Sequence, residues 1–391
     1  MKILICNVGS TSLKFKLREM PGHVELAEGR VERVGSEQAI FQYEHAEYRE
    51  RLEPVHIPNY TAGIRRFLDL LTRGESPALS DLSQIEAVGF KTTISKDHYG
   101  VHELTEEVLE GMRAYLPVAP LHNRCYLEAI EVFRNLTPEA RLVGVFETAF
   151  HQTISLENRI YPVPYEWYEK YGVMKMGYHG ASHSYIAQKL AGRRRIISCH
   201  LGGSGSICAI LDGKSIDNSF GFSLQAGIPH ATRTGDMDAY IIPFMLEQGL
   251  TMDQILQGLG ENGGLKGISG TSGDMRDIEA AIQVGSDRAR LALNYMAGAI
   301  LRYIGAYIME LGGLDALAFT GGIGENCVRL RKMVLDGMRF MGVQYDAEKN
   351  ESGSGDRKIP TDDSSAEVFV ILANEEYVVV NETYANCIKN K

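Results

Sequence analysis

Four glycine- or hydroxyl-rich turns that follow strand-like segments constrain this chain more than any other feature. They are Asn7-Val8-Gly9-Ser10-Thr11-Ser12-Leu13-Lys14, His200-Leu201-Gly202-Gly203-Ser204-Gly205-Ser206, Gly267-Ile268-Ser269-Gly270-Thr271-Ser272-Gly273-Asp274 and Thr320-Gly321-Gly322-Ile323-Gly324-Glu325-Asn326. Turns of this composition can present successive backbone N–H groups to a phosphate. One alone usually just reverses the chain. Together, with neither a Walker A motif nor a dinucleotide fingerprint present, they point to a nucleotide held between two domains by several hairpins.

The first turn sits in a predicted hairpin. Residues 3–6 form a short apolar strand, and after the turn Leu13, Phe15 and Leu17 alternate with Lys14, Lys16 and Arg18, the period of a half-buried strand. Further strands are predicted at 87–90, 142–146, 195–200, 207–211 and 316–320, and helices at 64–72, 103–115, 123–135 and 252–259. The strongest helical pattern runs over 286–311, with Ser286 as N-cap, Asp287 in the first turn and Gly312-Gly313 at the end. Leu291, Leu293, Tyr295, Met296, Ile300, Leu301, Ile304 and Ile308 make it apolar nearly all round, which predicts burial between layers. Interleaved strands and helices imply an α/β fold. A chain of 391 residues exceeds what one core usually supports, so two domains are expected. The Gly/Ser-rich stretch 352–355 reads as a surface loop.

At 44% hydrophobic and 23% charged residues the chain reads as a soluble enzyme, and its net charge of −10 supplies no general field for nucleic acid or anionic lipid. Its basic run, Arg193-Arg194-Arg195, reads as a solvated loop. The 6 cysteines are scattered with no Cys-x-x-Cys pair, which favours a reducing compartment over a disulfide or zinc framework. The apolar start is too short for a signal peptide, and no window approaches a membrane span. A cytoplasmic protein with neither nucleic-acid nor membrane partners is expected.

Several motifs then follow one another in a recognisable order: Asn-x-Gly-Ser-x-Ser-Leu-Lys at 7–14, Pro120-Leu121-His122-Asn123, Phe146-Glu147-Thr148-Ala149-Phe150-His151, Gly177-Tyr178-His179-Gly180-Ala181-Ser182-His183, Thr232-Arg233-Thr234-Gly235-Asp236, Gly321-Gly322-Ile323-Gly324-Glu325-Asn326 and Asn374-Glu375-Glu376. In kind and order they resemble the acetate kinase family. The resemblance implies a two-domain actin-like fold, a duplicated ribonuclease H-like unit, with the active site in the interdomain cleft. The N-terminal domain would comprise 1–147 plus 377–391, and the C-terminal, nucleotide-binding domain 148–376. It further implies a homodimer that moves a phosphoryl group between ATP and a short carboxylic acid of the acetate or propionate class.

Position by position, Asn7 and Glu375 match residues near Mg²⁺ (Mn²⁺ as an alternative), and Lys14 a lysine near the nucleotide phosphates. His200, Leu201, Gly202, Gly203 and Ser204, then Asp274, Met275 and Arg276, then Gly321, Gly322, Ile323, Gly324 and Glu325 match the segments that bind ATP or ADP. Arg233 and His179 match groups that stabilise the migrating phosphoryl, and His122 a second active-site histidine. The inventory suits the reaction. A carboxylate is already ionised at neutral pH, so the protein mainly positions and neutralises charge.

The departures cluster among the active-site positions. Gly89-Phe90-Lys91-Thr92-Thr93-Ile94 carries Lys91 where the family has the arginine for the substrate carboxylate. Glu147 stands for an aspartate, and the turn at 200–204 lacks an asparagine. In the acyl pocket Thr93 replaces valine, Tyr178 phenylalanine and Leu224 proline, while Leu121 is retained. Lys91 and Glu147 read either as a compensating ion pair or as the mark of a changed substrate or lost activity. The hydroxyls of Thr93 and Tyr178 suggest an acceptor larger or more polar than acetate. The alternatives are a more polar acid, a pyrophosphate donor, or a nucleotide-binding homologue without catalysis. His179 and His183, at i and i+4, lack a third ligand for a metal pair, and His230 is assigned a packing or loop role.

Overall fold

The computed structural model describes residues 1–9, 11–73 and 77–389, with the side chain of Leu121 excepted; Ser10 of the first turn lies outside them. Two compact units divide the chain: Met1–Gln152 joined by Asn374–Lys391, and Thr153–Ala373.

The first unit is built on an eight-stranded sheet of β1 (Lys2–Val8), β2 (Ser12–Glu19), β3 (Val24–Glu32), β4 (Ser36–His45), β5 (Tyr48–Ile57), β6 (Ala87–Phe90), β7 (Val101–Glu103) and β8 (Arg141–Val145). Its order is β5-β4-β3-β2-β1-β6-β8-β7. β1 pairs antiparallel with β2 and parallel with β6, which is parallel to β8. Period-two alternation gives β1 two buried faces. Leu4, Cys6 and Val8 join Leu13, Phe15 and Leu17 in one core, while Ile3 and Ile5 join Val143, Val145, Val379 and Val380 in another. The second core is roofed by the C-terminal helix Glu375–Lys389, which returns to this unit. It lies so close that a Cβ on Gly89 would run into the Thr383 side chain.

The second unit carries β9 (Arg195–Leu201), β10 (Gly205–Leu211), β11 (Lys214–Asn218), β12 (Ala316–Thr320), β13 (Arg357–Lys358) and β14 (Glu367–Val370), in the order β11-β10-β9-β12-β14-β13. β11, β10 and β9 are successively antiparallel, and β9, β12 and β14 parallel. The series β3-β2-β1-β6-β8 of the first sheet has the same order and the same senses. The fold is thus an α/β unit used twice, a duplication that no repeat in the sequence announces.

The long helix spans Asp287–Leu311, with the Ser286 hydroxyl accepting from Ala289 N at 3.2 Å and Gly312 left-handed at φ 67°. It is not buried all round, as its composition suggests: Leu291 and Met309 are 57% and 81% exposed. The arginine run lies in the loop before β9, as expected, with Arg194 exposed and Arg195 the first residue of the strand, and each of its side chains is paired. Arg193 pairs with Glu367, Arg194 with Asp212 and Arg195 with Asp315, which stitches the start of β9 to its neighbours. All the cysteines are reduced, and among the described residues no helix is long and apolar enough to cross a membrane.

Candidate active site

In the first unit the chemistry gathers at the carboxyl ends of the parallel strands, where open α/β sheets place their ligands. Asn7 ends β1, Lys91 follows β6 and Glu147 follows β8. The Lys91 ammonium lies 3.0 Å from Glu147 Oε1 and 2.7 Å from Glu375 Oε2, with each side chain 13–15% exposed. Burial opposes the charge on Lys91. The carboxylates of Glu147 and Glu375 outweigh it and hold the ammonium's pKa well above the ordinary lysine value. The ion pair between Lys91 and Glu147, one of the two readings of these departures, is present, and Glu375 makes it a bridge. Glu147 N also donates to Thr92 O at 2.8 Å, which ties the two segments together through the backbone.

Tyr126, on the helix Pro120–Leu136, donates to Asn7 Oδ1 at 3.3 Å and accepts from Val8 N at 3.1 Å. Lys14 is exposed directly across the β1–β2 pair from Asn7. His122 is exposed on the same helix as Tyr126, and its neighbour Asn123 anchors that turn by donating to Ile94 O and Met112 O. Thr93 is buried, and the side chain of Leu121 lies outside the described residues.

In the second unit, a cavity of about 850 Å³ brings three of the expected segments together: Gly202 and Gly203, Asp274 to Arg276, and Gly322 with Ile323. Asp274 caps the helix Met275–Gln283. Its carboxylate is held near pKa 2 by the Arg276 side chain and backbone N–H. Leu201 and Gly324 do not line the cavity; both are buried. His200, Ser204, Gly321 and Glu325 are also outside its wall. Ala231, Thr232, Glu279 and Cys327 line it without having been foreseen. Glu279 had a signal, since it falls one helical turn beyond Met275. Ala231 and Thr232 had none, because what places them is a long-range bond from Ala231 N to Gly203 O at 2.9 Å.

Beside this wall sits Arg233. Its Nη2 donates to Ser204 Oγ at 2.5 Å, and burial alone lowers its pKa to about 10; among the described residues no carboxylate offsets that burial. Gly264, left-handed at φ 56°, seats the Arg233 segment: a Cβ there would lie 2.6 Å from Arg233 O. His230 holds the other side. Gly205 N donates to its Nδ1 at 3.1 Å, so the proton is on Nε2, which donates to Ala226 O at 3.3 Å. Burial, then the Arg233 charge, depresses its pKa to about 3.

His179 is left-handed at φ 58° just before the helix Gly180–Lys189. Ser206 Oγ stands between His179 Nδ1 at 2.9 Å and His183 Nε2 at 2.8 Å, and His183 Nδ1 meets Ser198 Oγ at 2.8 Å. A hydroxyl has one proton, so Ser206 can donate to only one of the two rings, which couples their tautomers. His183 is therefore a support for His179, not half of a metal pair. The Tyr178 hydroxyl donates to Phe222 O at 2.8 Å, and Leu224 is partly buried nearby in sequence.

Comparison with known proteins is consistent with these features. The model of the acetokinase family matches residues 2–381. The acetate kinase of Shouchella clausii is 40% identical over 393 residues, covering 98% of each chain, and that of Bacillus subtilis 39% identical over 390 residues, covering 97% of this chain and 98% of that one. Among solved structures, the acetate kinase of Porphyromonas gingivalis superposes with a TM-score of 0.87 at 35% identity, covering 98% of this chain and 99% of that one. A propionate kinase from Francisella tularensis gives 0.88 at 31%, with the same coverage. With a family match that spans nearly the whole chain and a fold shared over its full length, this chain belongs to the acetokinase family.

Proposed function

We propose that the protein catalyses reversible transfer of the γ-phosphoryl group of ATP to acetate or propionate, giving an acyl phosphate and ADP. The observation that carries this reading is Arg233: a desolvated guanidinium beside a nucleotide-sized cavity, with no carboxylate among the described residues to neutralise it. A buried cation is costly without an anion, and a transferring phosphoryl supplies one. A carboxylate oxygen of the acid forms the new bond to phosphorus as the bond to the β-phosphate oxygen breaks, and ADP leaves. No general base is required, because the acid is already ionised. His179, oriented by Ser206, supplies a second donor of fixed direction. Lys91 answers part of the negative charge of Glu147 and Glu375.

The first unit's oxygen donors suit Mg²⁺. Asn7, Glu147 and Glu375 offer hard oxygens, and among the described residues no cluster of three or more ligating side chains forms a dedicated cage. Mg²⁺ commonly takes one or two carboxylates, waters and substrate phosphates. Asn7 and Glu375 would hold it, and it would neutralise phosphate charge.

We also infer a cytoplasmic homodimer. The cysteines are reduced, and the segment 240–256 exposes Tyr240, Phe244 and Leu256 at 79%, 58% and 55%, more apolar surface than water favours. Light scattering should give the mass of two chains, and Phe244→Asp that of one. The reaction is tested by trapping the product with hydroxylamine, using Mg-ATP and a panel of carboxylates. Tight ATP binding with no hydroxamate from any acid would replace this reading with that of a nucleotide-binding homologue.

A further inference from the structure

Arg331 lies in the helix Val328–Met338 and is fully buried. Its four hydrogen bonds all go to neutral oxygens. Nη1 donates to Gly324 O and Glu325 O, each at 2.8 Å, Nε to Asn350 Oδ1 at 2.8 Å, and Nη2 to Asn350 O at 2.7 Å. Burial lowers its pKa to about 10. A buried guanidinium is an expensive way to fill a core, where an apolar side chain of similar volume serves stability as well or better. What it does here is local. Gly324 and Glu325 lie in the last turn of the short helix Gly321–Asn326, whose final carbonyls lack helical partners.

Two more carbonyls of that helix are also taken up. Asn326 Nδ2 donates to Gly322 O at 2.9 Å, and Cys327 N to Ile323 O at 2.9 Å. Gly322, Ile323 and Asn326 form one wall of the cavity. Four carbonyls of the helix are therefore held, and Arg331 holds two of them. Asn350, itself buried, fixes Arg331 in turn.

We propose that Arg331 is a positioning residue for the nucleotide: it clamps the end of the Gly321–Asn326 helix so that Gly322, Ile323 and Asn326 present a preformed wall, with Asn350 as its brace. The inference rests on the nucleotide reading of the cavity. Arg331 touches no substrate, so its loss should weaken nucleotide binding and leave the acid side unchanged.

Titration calorimetry with MgADP tests it on wild type, Arg331→Lys, Arg331→Met and Asn350→Ala, alongside KM for acetate. The expected result is about tenfold weaker MgADP binding in Arg331→Met, on the scale of hydrogen bonds to a charged group, and a smaller loss in the other two. KM for acetate should stay within about twofold in each. Should Arg331→Met fail to fold, Arg331→Lys and Asn350→Ala decide. Folded variants with wild-type MgADP affinity, or a KM for acetate that rises in step, overturn the proposal. A wild type that does not bind MgADP overturns the nucleotide reading and this proposal with it.

Discussion

Lys91 and Glu375, 284 positions apart in sequence, form a 2.7 Å ion pair inside one unit. The pair exists because the C-terminal helix returns to the sheet that the first residues begin. Its first turn brings Glu375 to the carboxyl ends of β1, β6 and β8, where Glu147 completes the bridge. Lysine in place of a forked guanidinium gives up bidentate geometry, but its three donors reach two carboxylates at once.

That bridge makes a separable prediction about stability and turnover. Lys91→Met strands two poorly solvated carboxylates and should cost about 3 kcal/mol of stability, the scale for breaking a buried pair. Adding Glu147→Gln should restore part of that loss while leaving turnover abolished. Chemical denaturation and the hydroxamate assay read the two effects independently. Stability unchanged in Lys91→Met would mean the bridge does not form in solution.

Arg233 should behave in the opposite way. Among the described residues it has no carboxylate to strand, so Arg233→Ala should fold with a Tm at or above wild type. Its kcat should fall by about a hundred- to a thousandfold, the usual effect of removing one preorganised donor to developing charge, and KM for ATP should barely move. Near-wild-type turnover would remove Arg233 from the mechanism.

His230 gives a pH signature. Its folded pKa, about 3, lies below the unfolded value of about 6.5. As pH falls below about 6.5 the unfolded chain takes up a proton that the folded one refuses, so stability is lost as the pH is lowered towards 3. Between about pH 7 and pH 5 this one group removes roughly 2 kcal/mol. His230→Gln, which keeps an acceptor for Gly205 N, should show a shallower decline. Urea unfolding at the two pH values decides it, and parallel declines in both proteins would refute the assignment.

Much of this was legible in the sequence, and what was not has identifiable causes. The strands Ala87–Phe90 and Ala316–Thr320 stood out because they are fully buried and so continuously apolar. β3 and β5 did not: Val24–Glu32 and Tyr48–Ile57 are interrupted by charges, and their pairing comes from the sheet. The C-terminal helix was hidden by Val378-Val379-Val380, a run whose propensity favours a strand until packing under β1 overrides it. In the site, the ordered motifs located Lys91, Glu147 and Arg233. The bonds that define their roles, Lys91 to Glu375 and Arg233 to Ser204, span distances no local pattern encodes.

The last prediction concerns the acid. The expectation of a polar acceptor rests on the hydroxyls of Thr93 and Tyr178. The Tyr178 ring is fully buried, packs edge-on against Phe220 at 5.4 Å, and sends its hydroxyl to the Phe222 carbonyl at 2.8 Å. That bond offsets the desolvation of the hydroxyl without any substrate, so Tyr178 supplies no selection for a hydroxy acid. A site built to pair a substrate hydroxyl rejects the analogue lacking it by orders of magnitude, whereas an apolar pocket separates acids by about tenfold or somewhat more per methylene. The expected order of kcat/KM therefore puts acetate or propionate ahead of lactate and glycolate. Tyr178→Phe should lower stability by about 1 kcal/mol, the worth of one hydrogen bond, and leave the acetate-to-lactate ratio unchanged. A wild type that prefers lactate or glycolate, with that preference collapsing in Tyr178→Phe, would show instead that the hydroxyl leaves Phe222 for the substrate.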